Sequence, residues 1–328
     1  APPHNKQDPY KVWLSEIMLQ QTTTTAVKPY FTQFLEKWPT LESFSRAHLD
    51  EILNCWQGLG YYSRARHMHQ CAQILMSTYK GKFPTNVDEL LKLPGIGPYT
   101  AAAIVTIAFD QPAIAIDGNI IRVFSRLHAL PDPMPKHKSK IEKIASGYLP
   151  GKRFGDYTQA LMDLGAMVCT PKNPPCGLCP WKSACQAFKT GTMDAYPVKE
   201  TKKSLPEKFT VAFVIENAQG HILLRKRPPQ GLLGGLYELP NLPWIDHPYE
   251  WDQLINQAPL QEQWVCEEQM IKHTFTHFHL YVKILHTRTQ TPPEGLWCSP
   301  ESLQAFALPT LFKKVLKTSS RLSSFLIR

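Results

Sequence analysis

The stretch LPGIGPYTAAAI, residues 93–104, is a glycine-rich turn that runs into an apolar helix. Gly95 and Gly97 allow backbone conformations that other residues disfavour, and Pro98 suits the first turn of a helix. Exposed amides at such a helix start, together with the helix dipole, favour a phosphate group. Alone, the stretch also fits an ordinary turn between two packed helices. It therefore predicts a hairpin between helices at about 90–104.

Outward from this hairpin, the chain divides into two parts of different pattern. Apolar residues recur at helical spacing in LDEILNCWQGLGYY and YTQALMDLGAMV, which predicts a helical domain over residues 1–195. A Lys-, Pro- and Ser-rich segment at 196–208 is typical of a linker. Residues 209–328 contain the β-rich runs FTVAFVIE, HILLRKR and HFHLYVKILH, the first two separated by the turn NAQG, so we expect a mixed α/β domain.

Composition narrows the class of protein. The chain has 328 residues and a net charge of +9, most of which lies in the first 195 residues and suits a nucleic-acid partner. Its longest nearly apolar run, TAAAIVTIAF, is shorter than the ~18 residues that a membrane span needs. The start APPHNKQDPY has neither an initiator Met nor an apolar signal segment. We therefore expect a cytoplasmic protein that lacks a few native N-terminal residues.

Four of the eight cysteines cluster in CTPKNPPCGLCPWKSAC, where six, two and five residues separate Cys169, Cys176, Cys179 and Cys185. Four thiolates this close predict a metal or cluster site at 169–185. Zinc usually takes paired Cys-x-x-Cys knuckles, and only one such pair is present. The spacing favours an iron–sulfur cluster modestly and leaves zinc open.

The stretch VWLSEIMLQQT, residues 12–22, places one carboxylate in an apolar run. If the segment is helical, the neighbours of Glu16 three and four residues away are Val12, Trp13, Leu19 and Gln20. A buried carboxylate is costly unless it is paired or protonated. Glu16 therefore either bonds a helix end in the core or takes part in catalysis. Asp117 in AIDGN has a similar pair of interpretations, because Asp-Gly-Asn is also good turn and helix-cap chemistry.

In the second part, GGLYELP at 234–240 is similar to the approach to a Nudix box. The following NLPWIDHPYEWDQL lacks the carboxylate array that would bind magnesium, so we do not expect pyrophosphate hydrolysis. His273, His277 and His279 suggest either a metal site or simple strand alternation, with the apolar residues on the other face.

Together these motifs resemble the helix-hairpin-helix base-excision glycosylases of the endonuclease III superfamily, and most closely the MutY-type adenine DNA glycosylases. The resemblance rests on VWLSEIMLQQT, GLGYYSRAR, LPGIGPYTAAAI, DGN, DLGAMVC and FTHFH, and it covers nearly the whole chain. It implies an all-α helix-hairpin-helix glycosylase domain in which the four cysteines hold one 4Fe-4S cluster. An α/β Nudix-like domain that reads the opposite base would follow.

The resemblance implies catalytic roles for four residues. Glu16 would protonate N7 of an extruded adenine, and Asp117 would stabilise or transiently bond the sugar carbon, with Tyr99 and Asn119 positioning these groups. Tyr99 stands where relatives that also cut the backbone carry a lysine. The sequence therefore predicts a monofunctional glycosylase without efficient lyase chemistry.

The resemblance also implies residues that contact DNA. The intercalating elements would be Gln20, Gln21 and Thr22 on one side and Leu59 and Tyr61 on the other. The first group can also be explained as a polar helix end, and the second as an ordinary packed aromatic. We expect Tyr62 to be a packed aromatic. The hairpin would contribute Leu93, Gly95 and Gly97, and the adenine pocket would include Leu19 and Gln159. Phe275, Thr276 and His277 would recognise 8-oxoguanine, with threonine replacing the usual serine. Ile121 replaces a lysine of some members, from which we infer little.

The resulting expectation is an enzyme that removes adenine mispaired with 8-oxoguanine or guanine in duplex DNA. One alternative is a related glycosylase for another base, such as thymine opposite guanine, although N7 protonation by Glu16 is a purine mechanism. A second alternative is a non-catalytic iron–sulfur DNA-binding protein. We further expect a monomer without membrane association and with repair or replication proteins, such as a sliding clamp, as partners.

Overall fold

The computed structural model describes residues 7–133, 138–199 and 204–319. They form two compact units. One unit combines the residues up to Ala47 with those from His67 to the end of the helical part, and the other combines His48–Arg66 with the residues from 204 onward. The predicted bounds 1–195, 196–208 and 209–328 stay predictions, and residues 200–203 of the predicted linker lie outside the described residues.

The first 195 residues are helical where they are described, as the apolar periodicity predicts. The α-helices are α1 (Pro9–Leu19), α2 (Thr24–Lys37), α3 (Leu41–Ser45), α4 (Leu49–Cys55), α5 (Ser63–Ser77), α6 (Val87–Leu90), α7 (Pro98–Phe109), α8 (Gly118–Leu127), α9 (Lys138–Ser146), α10 (Phe154–Asp163) and α11 (Gln186–Lys189). A π-helical turn spans Leu164–Val168, and 3-10 turns span Cys176–Leu178 and Met193–Ala195.

Helix α1 has clear start signals. The Asp8 side chain accepts a hydrogen bond from the amide of Tyr10, and Pro9 occupies the first turn. Most of the helix is then buried, and Trp13 packs edge-on against Phe44 with ring centroids 6.1 Å apart. This packing carries Glu16 into the interior, as the apolar run predicts.

The hairpin between α6 and α7 follows the sequence prediction. Gly95 has φ +76°, and a Cβ there would lie 2.7 Å from the Cβ of His67, so both its conformation and its surroundings require glycine. Gly97 is the N-cap of α7 and Pro98 is the first helical residue. No side chain caps this helix start, which leaves its amides free to meet an anion.

The second unit is built on a mixed sheet. The described strands are β1 (Glu207–Glu216), β2 (Ile222–Lys226), β3 (Tyr237–Glu238), β4 (Val265–Cys266), β5 (Ile271–Thr274), β6 (His279–Arg288) and β7 (Leu296–Cys298). They are ordered β3-β2-β1-β6-β4, with β5 paired to β6 and β7 to β2. Among the described residues from 204 onward, the helices are α12 (Trp251–Asn256) and α13 (Thr310–Thr318), with a 3-10 turn at Pro300–Ala305.

The centre of this sheet is the parallel pair β1 and β6, which runs in register from Glu207↔His279 to Glu216↔Arg288. Both strands are largely buried, as expected for strands covered on two faces. The NAQG turn joins β1 to β2, and its Asn217 side chain accepts hydrogen bonds from the amides of Gln219 and His221. The predicted mixed α/β architecture is therefore confirmed. Among the described helices, none has the length and apolar character required to span a membrane.

Candidate active site

Glu16 is the most buried carboxylate of the candidate catalytic set. It is 7% exposed on α1, and the hydroxyl of Tyr99, on α7, donates a 2.7 Å hydrogen bond to its Oε2. Burial raises the pKa of Glu16, and Asp117 adds to this, whereas the Tyr99 hydrogen bond opposes it. Burial also raises the pKa of Tyr99, so its hydroxyl stays a donor. Glu16 thus remains protonated to a higher pH than an ordinary glutamate.

A second hydrogen bond joins the same two helices. Gln20 follows Glu16 by four residues and caps the end of α1, and its Nε2 donates to Oγ1 of the buried Thr100 at 3.1 Å. The pairs Glu16–Tyr99 and Gln20–Thr100 therefore fix α1 against the start of α7. Thr100 was not among the predicted site residues, although it directly follows Tyr99 in the sequence.

Asp117 caps a helix, which is one of its two sequence interpretations, and its catalytic role stays a prediction. As the N-cap of α8, its Oδ1 accepts a 2.7 Å hydrogen bond from the amide of Ile120. Its Oδ2 accepts a 2.9 Å hydrogen bond from Nδ2 of Asn119. The cap role is therefore real, and it holds the carboxylate in one orientation without removing it from solvent, because Asp117 is only half-buried.

Two residues outside the predicted set hold Asn119. Arg122 donates from Nη2 to Asn119 Oδ1 at 2.9 Å and from Nε to the carbonyl of Cys169 at 2.6 Å. Gly165 allows close approach, since a Cβ there would lie 2.6 Å from the Asn119 Cβ. The signals available in sequence were the arginine of DGNIIRV and the glycine of DLGAMVC, but only the fold shows that they meet Asn119.

The four clustered cysteines line one cavity. Cys169, Cys176, Cys179 and Cys185 surround it together with apolar side chains of α8 and the following segments. Burial, followed by the three other thiols, raises the pKa of Cys176. Arg126 approaches from α8, with Nη1 3.4 Å from the Cys169 sulfur. The cavity is therefore lined by four thiols and by two cationic side chains, those of Arg126 and Lys182.

Within the described ranges, no group of three or more His, Cys, Asp or Glu side chains is placed to hold a single metal ion. This covers the three histidines near residue 275. His273 packs edge-on against Phe275 at 4.6 Å, and His279 shares a 2.9 Å hydrogen bond with Thr274. His273 lies on β5 and His279 on β6, whereas His277 lies in the turn between these two strands.

The predicted intercalating residues differ in exposure. Gln21 is exposed with φ +58°, and Thr22 and Gln20 are half-buried. Tyr61 is 47% exposed, whereas Leu59 is 6% exposed. An intercalating side chain has to be exposed, which is the case for Tyr61 and not for Leu59 in this conformation. The intercalating role of both residues stays a prediction. Tyr62 is buried at 7%, in line with the expected packed aromatic.

The remaining predicted contacts are distributed along the helical unit. Leu93 has a buried side chain, and its carbonyl accepts from the amide of Ile96 within the hairpin. Leu19 and Gln159 are half-buried, and Gln159 donates to the carbonyl of Gly155 at 3.2 Å. Their contacts with DNA and adenine stay predictions.

The FTHFH segment forms a tight hairpin between β5 and β6. Thr274 pairs with His279, and the amide of Phe275 donates to the carbonyl of Phe278 at 2.9 Å, so Thr276 and His277 form an exposed tip. The Phe275 ring packs on Trp244 at 5.4 Å and on Phe278 at 4.9 Å.

The Nudix-like motif uses its carboxylate structurally. Glu238 of GGLYELP is 2% exposed and accepts from Nε of Arg225 at 2.6 Å and from Nδ2 of Asn241 at 2.9 Å. Arg225 binds Oε1, whereas Arg227 pairs with Oε2, the oxygen that also accepts from Asn241. A carboxylate so fully paired has no free oxygen to offer a metal.

Comparison with known families agrees with this geometry. Residues 14–150 match the HhH-GPD superfamily of base excision DNA repair proteins, and residues 211–318 match the NUDIX domain. The structure is similar to that of a thermostable thymine-DNA glycosylase, with 30% identity and a TM-score of 0.52 over 57% of this chain and 87% of the other. An endonuclease III–DNA complex gives 27% identity and a TM-score of 0.50 over 56% and 86%. Fold and site thus define a helix-hairpin-helix base-excision glycosylase joined to a Nudix-like domain.

Sequence relatives narrow this class. The adenine DNA glycosylase of Buchnera aphidicola subsp. Baizongia pistaciae is 33% identical over 321 residues, which cover 95% of this chain and 90% of that protein. The human adenine DNA glycosylase is 34% identical over 372 residues, covering 94% and 67%. The chain belongs to the adenine DNA glycosylase family.

Proposed function

We propose that this chain hydrolyses the N-glycosidic bond of adenine mispaired with 8-oxoguanine or guanine in duplex DNA. The observation that carries the proposal is the buried Glu16, whose pKa is raised and whose Oε2 is held by Tyr99. An extruded base has to be protonated by a group that keeps its proton near neutral pH, and a desolvated carboxyl meets this need.

Glu16 acts first, as general acid. Tyr99 occupies Oε2, so Oε1 can carry the proton and donate it to N7 of the adenine. The protonated purine leaves more readily, and the electrons of the glycosidic bond depart with it. The deoxyribose is left with positive charge at the carbon that held the base.

Asp117 stabilises that cation. Its Oδ1 is tied to the α8 amide and its Oδ2 to Asn119, so the carboxylate is oriented before the substrate arrives. Arg122 and Gly165 fix Asn119 in turn. Water then bonds to the sugar carbon, and the proton that the water loses returns to the Glu16 carboxylate. Because Tyr99 stands in place of a lysine nucleophile, the sugar–phosphate backbone stays intact.

Extrusion of the adenine leaves a gap in the stack, which costs a few kcal/mol. We assign filling of this gap to the exposed ring of Tyr61 and to Gln20, Gln21 and Thr22 at the end of α1. The uncapped start of α7, after Gly95 and Gly97, binds a DNA phosphate. Leu19 and Gln159 line the adenine pocket.

The Nudix-like domain reads the base opposite adenine. The tip of the FTHFH hairpin presents Thr276 and His277 on a base of packed aromatic rings, with Phe275 anchoring the tip. The pairing of Glu238 with Arg225 and Arg227 supports a binding role for this domain and not pyrophosphate hydrolysis.

The four cysteines would hold one 4Fe-4S cluster. Each of Cys169, Cys176, Cys179 and Cys185 would supply one thiolate to it. The four thiols that line one cavity support the assignment of this cluster. When bound, it supplies a rigid crosslink for residues 169–185 and a redox-active group.

The proposal is tested by single-turnover release of adenine from duplexes that pair it with 8-oxoguanine, guanine or thymine, beside a thymine–guanine duplex. We expect fast release opposite 8-oxoguanine, slower release opposite guanine and almost none opposite thymine. Glu16→Gln should lower the rate by about 10²- to 10⁴-fold. Release of thymine instead of adenine would point to a different substrate base. Duplex binding without any base release would identify a binding protein.

A further inference from the structure

Two hydroxyl groups with separate proposed roles lie in contact. The Tyr61 Oη and the Thr276 Oγ1 are 2.8 Å apart, although 215 positions separate the residues in the chain. Both belong to the unit that combines His48–Arg66 with the residues from 204 onward. We infer that the Tyr61 hydroxyl is a positioning group for Thr276, so that the wedge also determines how the opposite base is read. The inference rests on the proposed function.

The backbone on the Tyr61 side is held in place. Tyr61 has φ +46°, a conformation that a bulky residue adopts only when its surroundings impose it. Arg64 Nη2 donates to the carbonyls of Leu59 at 3.0 Å and Gly60 at 3.2 Å, and Trp56 Nε1 donates to the same Gly60 carbonyl at 3.0 Å. The segment therefore presents the tyrosine ring outward from a fixed base.

The Thr276 side is equally well fixed. The tip has only two residues between Phe275 and Phe278, which limits its conformations. Both flanking rings pack on Trp244, and Arg227 lies over the Trp244 ring at 5.4 Å. The Tyr61–Thr276 hydrogen bond thus joins two supported loops.

This bond changes what Thr276 can offer to a base. A threonine hydroxyl has one donor and two acceptor sites, and in an exposed tip it can rotate among them. Its branched Cβ already restricts χ1, and the bond to Tyr61 restricts the hydroxyl itself. The opposite base then meets an oriented group, and less rotational entropy is lost on contact. The Tyr61 hydroxyl therefore contributes to discrimination separately from insertion of the ring.

Tyr61→Phe tests this directly, because it keeps the ring and removes only the hydroxyl. We expect the ratio of adenine-release rates opposite 8-oxoguanine and guanine to fall about two- to tenfold, as for loss of one hydrogen bond. Thr276→Val should lower the ratio similarly, and the double variant should fall no further than the stronger single variant. Thr276→Ser, which keeps the hydroxyl, should retain most of the ratio. Tyr281→Phe is the matched control, since it loses an exposed 2.9 Å bond to Glu207 in the same domain.

The inference would be overturned if Tyr61→Phe left the ratio of release rates opposite 8-oxoguanine and guanine unchanged, or if either single variant raised it. It would also be overturned if the losses of the two single variants multiplied in the double variant. Release of adenine by the wild type decides the proposed function separately from these ratios. Equilibrium binding to the same duplexes, measured in a Glu16→Gln background, gives the ratio of affinities for the 8-oxoguanine and guanine duplexes. This ratio does not depend on adenine release. That binding ratio should fall in Tyr61→Phe and stay constant in Tyr281→Phe.

Discussion

Two hydrogen bonds of almost equal length lie in contrasting regions of the molecule. The Tyr99 hydroxyl donates to Glu16 over 2.7 Å in the helical interior, while Tyr61 and Thr276 are joined over 2.8 Å at an exposed hairpin tip. The Tyr99–Glu16 bond lies where burial already disfavours the charged form of Glu16, so it is not replaced by water. The exposed Tyr61–Thr276 bond can be replaced by hydrogen bonds to water, so its net contribution is smaller. Length alone therefore does not tell how much a contact contributes. We expect large effects from the buried carboxylate site and small ones from the exposed tip.

After Glu16→Gln, the largest effect on the rate of adenine release should come from Asp117→Asn. Asparagine caps a helix about as well as aspartate, so the fold should be retained, while the charge that stabilises the sugar cation is lost. We expect the single-turnover rate of adenine release to fall about 10²- to 10³-fold. The thermal midpoint should change little.

Asp8→Asn is the matched control, because Asp8 also caps a helix, α1, but is exposed and outside the site. Its rate should equal that of the wild type. Equal losses in both variants would mean that Asp117 matters only as a cap.

Two glycines of the hairpin between α6 and α7 should have different roles, one in stability and the other in DNA binding. Gly95→Ala should lower the free energy of unfolding by about 1 to 3 kcal/mol, because alanine disfavours φ +76° and its Cβ would contact His67. Gly97→Ala meets open space at ordinary backbone angles, so stability should be kept and affinity for duplex DNA should fall. Chemical denaturation and DNA titration measure the two effects. Full DNA affinity in Gly97→Ala would remove this helix start from the interface.

Tyr99→Phe tests how the buried hydrogen bond between Tyr99 and Glu16 affects the pKa of Glu16. The Tyr99 hydrogen bond lowers the pKa of Glu16 against the larger effect of burial, so its removal should raise that pKa further. The alkaline limb of the pH–rate profile should move to higher pH, while the maximal rate falls about tenfold from lost positioning. A shift of the limb to lower pH would contradict the assigned sign.

Burial of Glu16 also predicts a pH-dependent stability. The folded state holds this proton more tightly than the unfolded state, so stability is lost as pH rises from the ordinary glutamate pKa through the raised value. Glu16→Gln should therefore be more stable than the wild type above that window, by about 1.4 kcal/mol per unit of pKa difference. Glu36→Gln, at an exposed position of α2, is the control. A stability difference that is the same at all pH values would argue against the raised pKa.

Much of the fold could be predicted because it depends on local chemistry. The turn at Gly95, the first helical turn at Pro98 and the hairpin turn at Asn217 each follow from what their own residues allow. The burial of Glu16 could be predicted because its helical neighbours are apolar.

Other features depend on contacts between distant parts of the chain. The Arg122 bridge between Asn119 and Cys169, the space that Gly165 leaves, and the contact of Tyr61 with Thr276 have no local pattern. Leu59 illustrates the same limit, since its place in a motif did not reveal that its side chain is buried. Family resemblance supplied roles for these regions, whereas only the fold shows which side chains meet.

The most direct test of the central claim, that the buried Glu16 carboxyl delivers a proton to the adenine, is the pH dependence of single-turnover adenine release opposite 8-oxoguanine. The wild-type rate should fall as pH rises through a pKa above the ordinary glutamate value, because the deprotonated carboxylate cannot act as the acid. This limb should be absent from the residual rate of Glu16→Gln. A wild-type profile without the limb, or the same limb in Glu16→Gln, would show that another group supplies the proton.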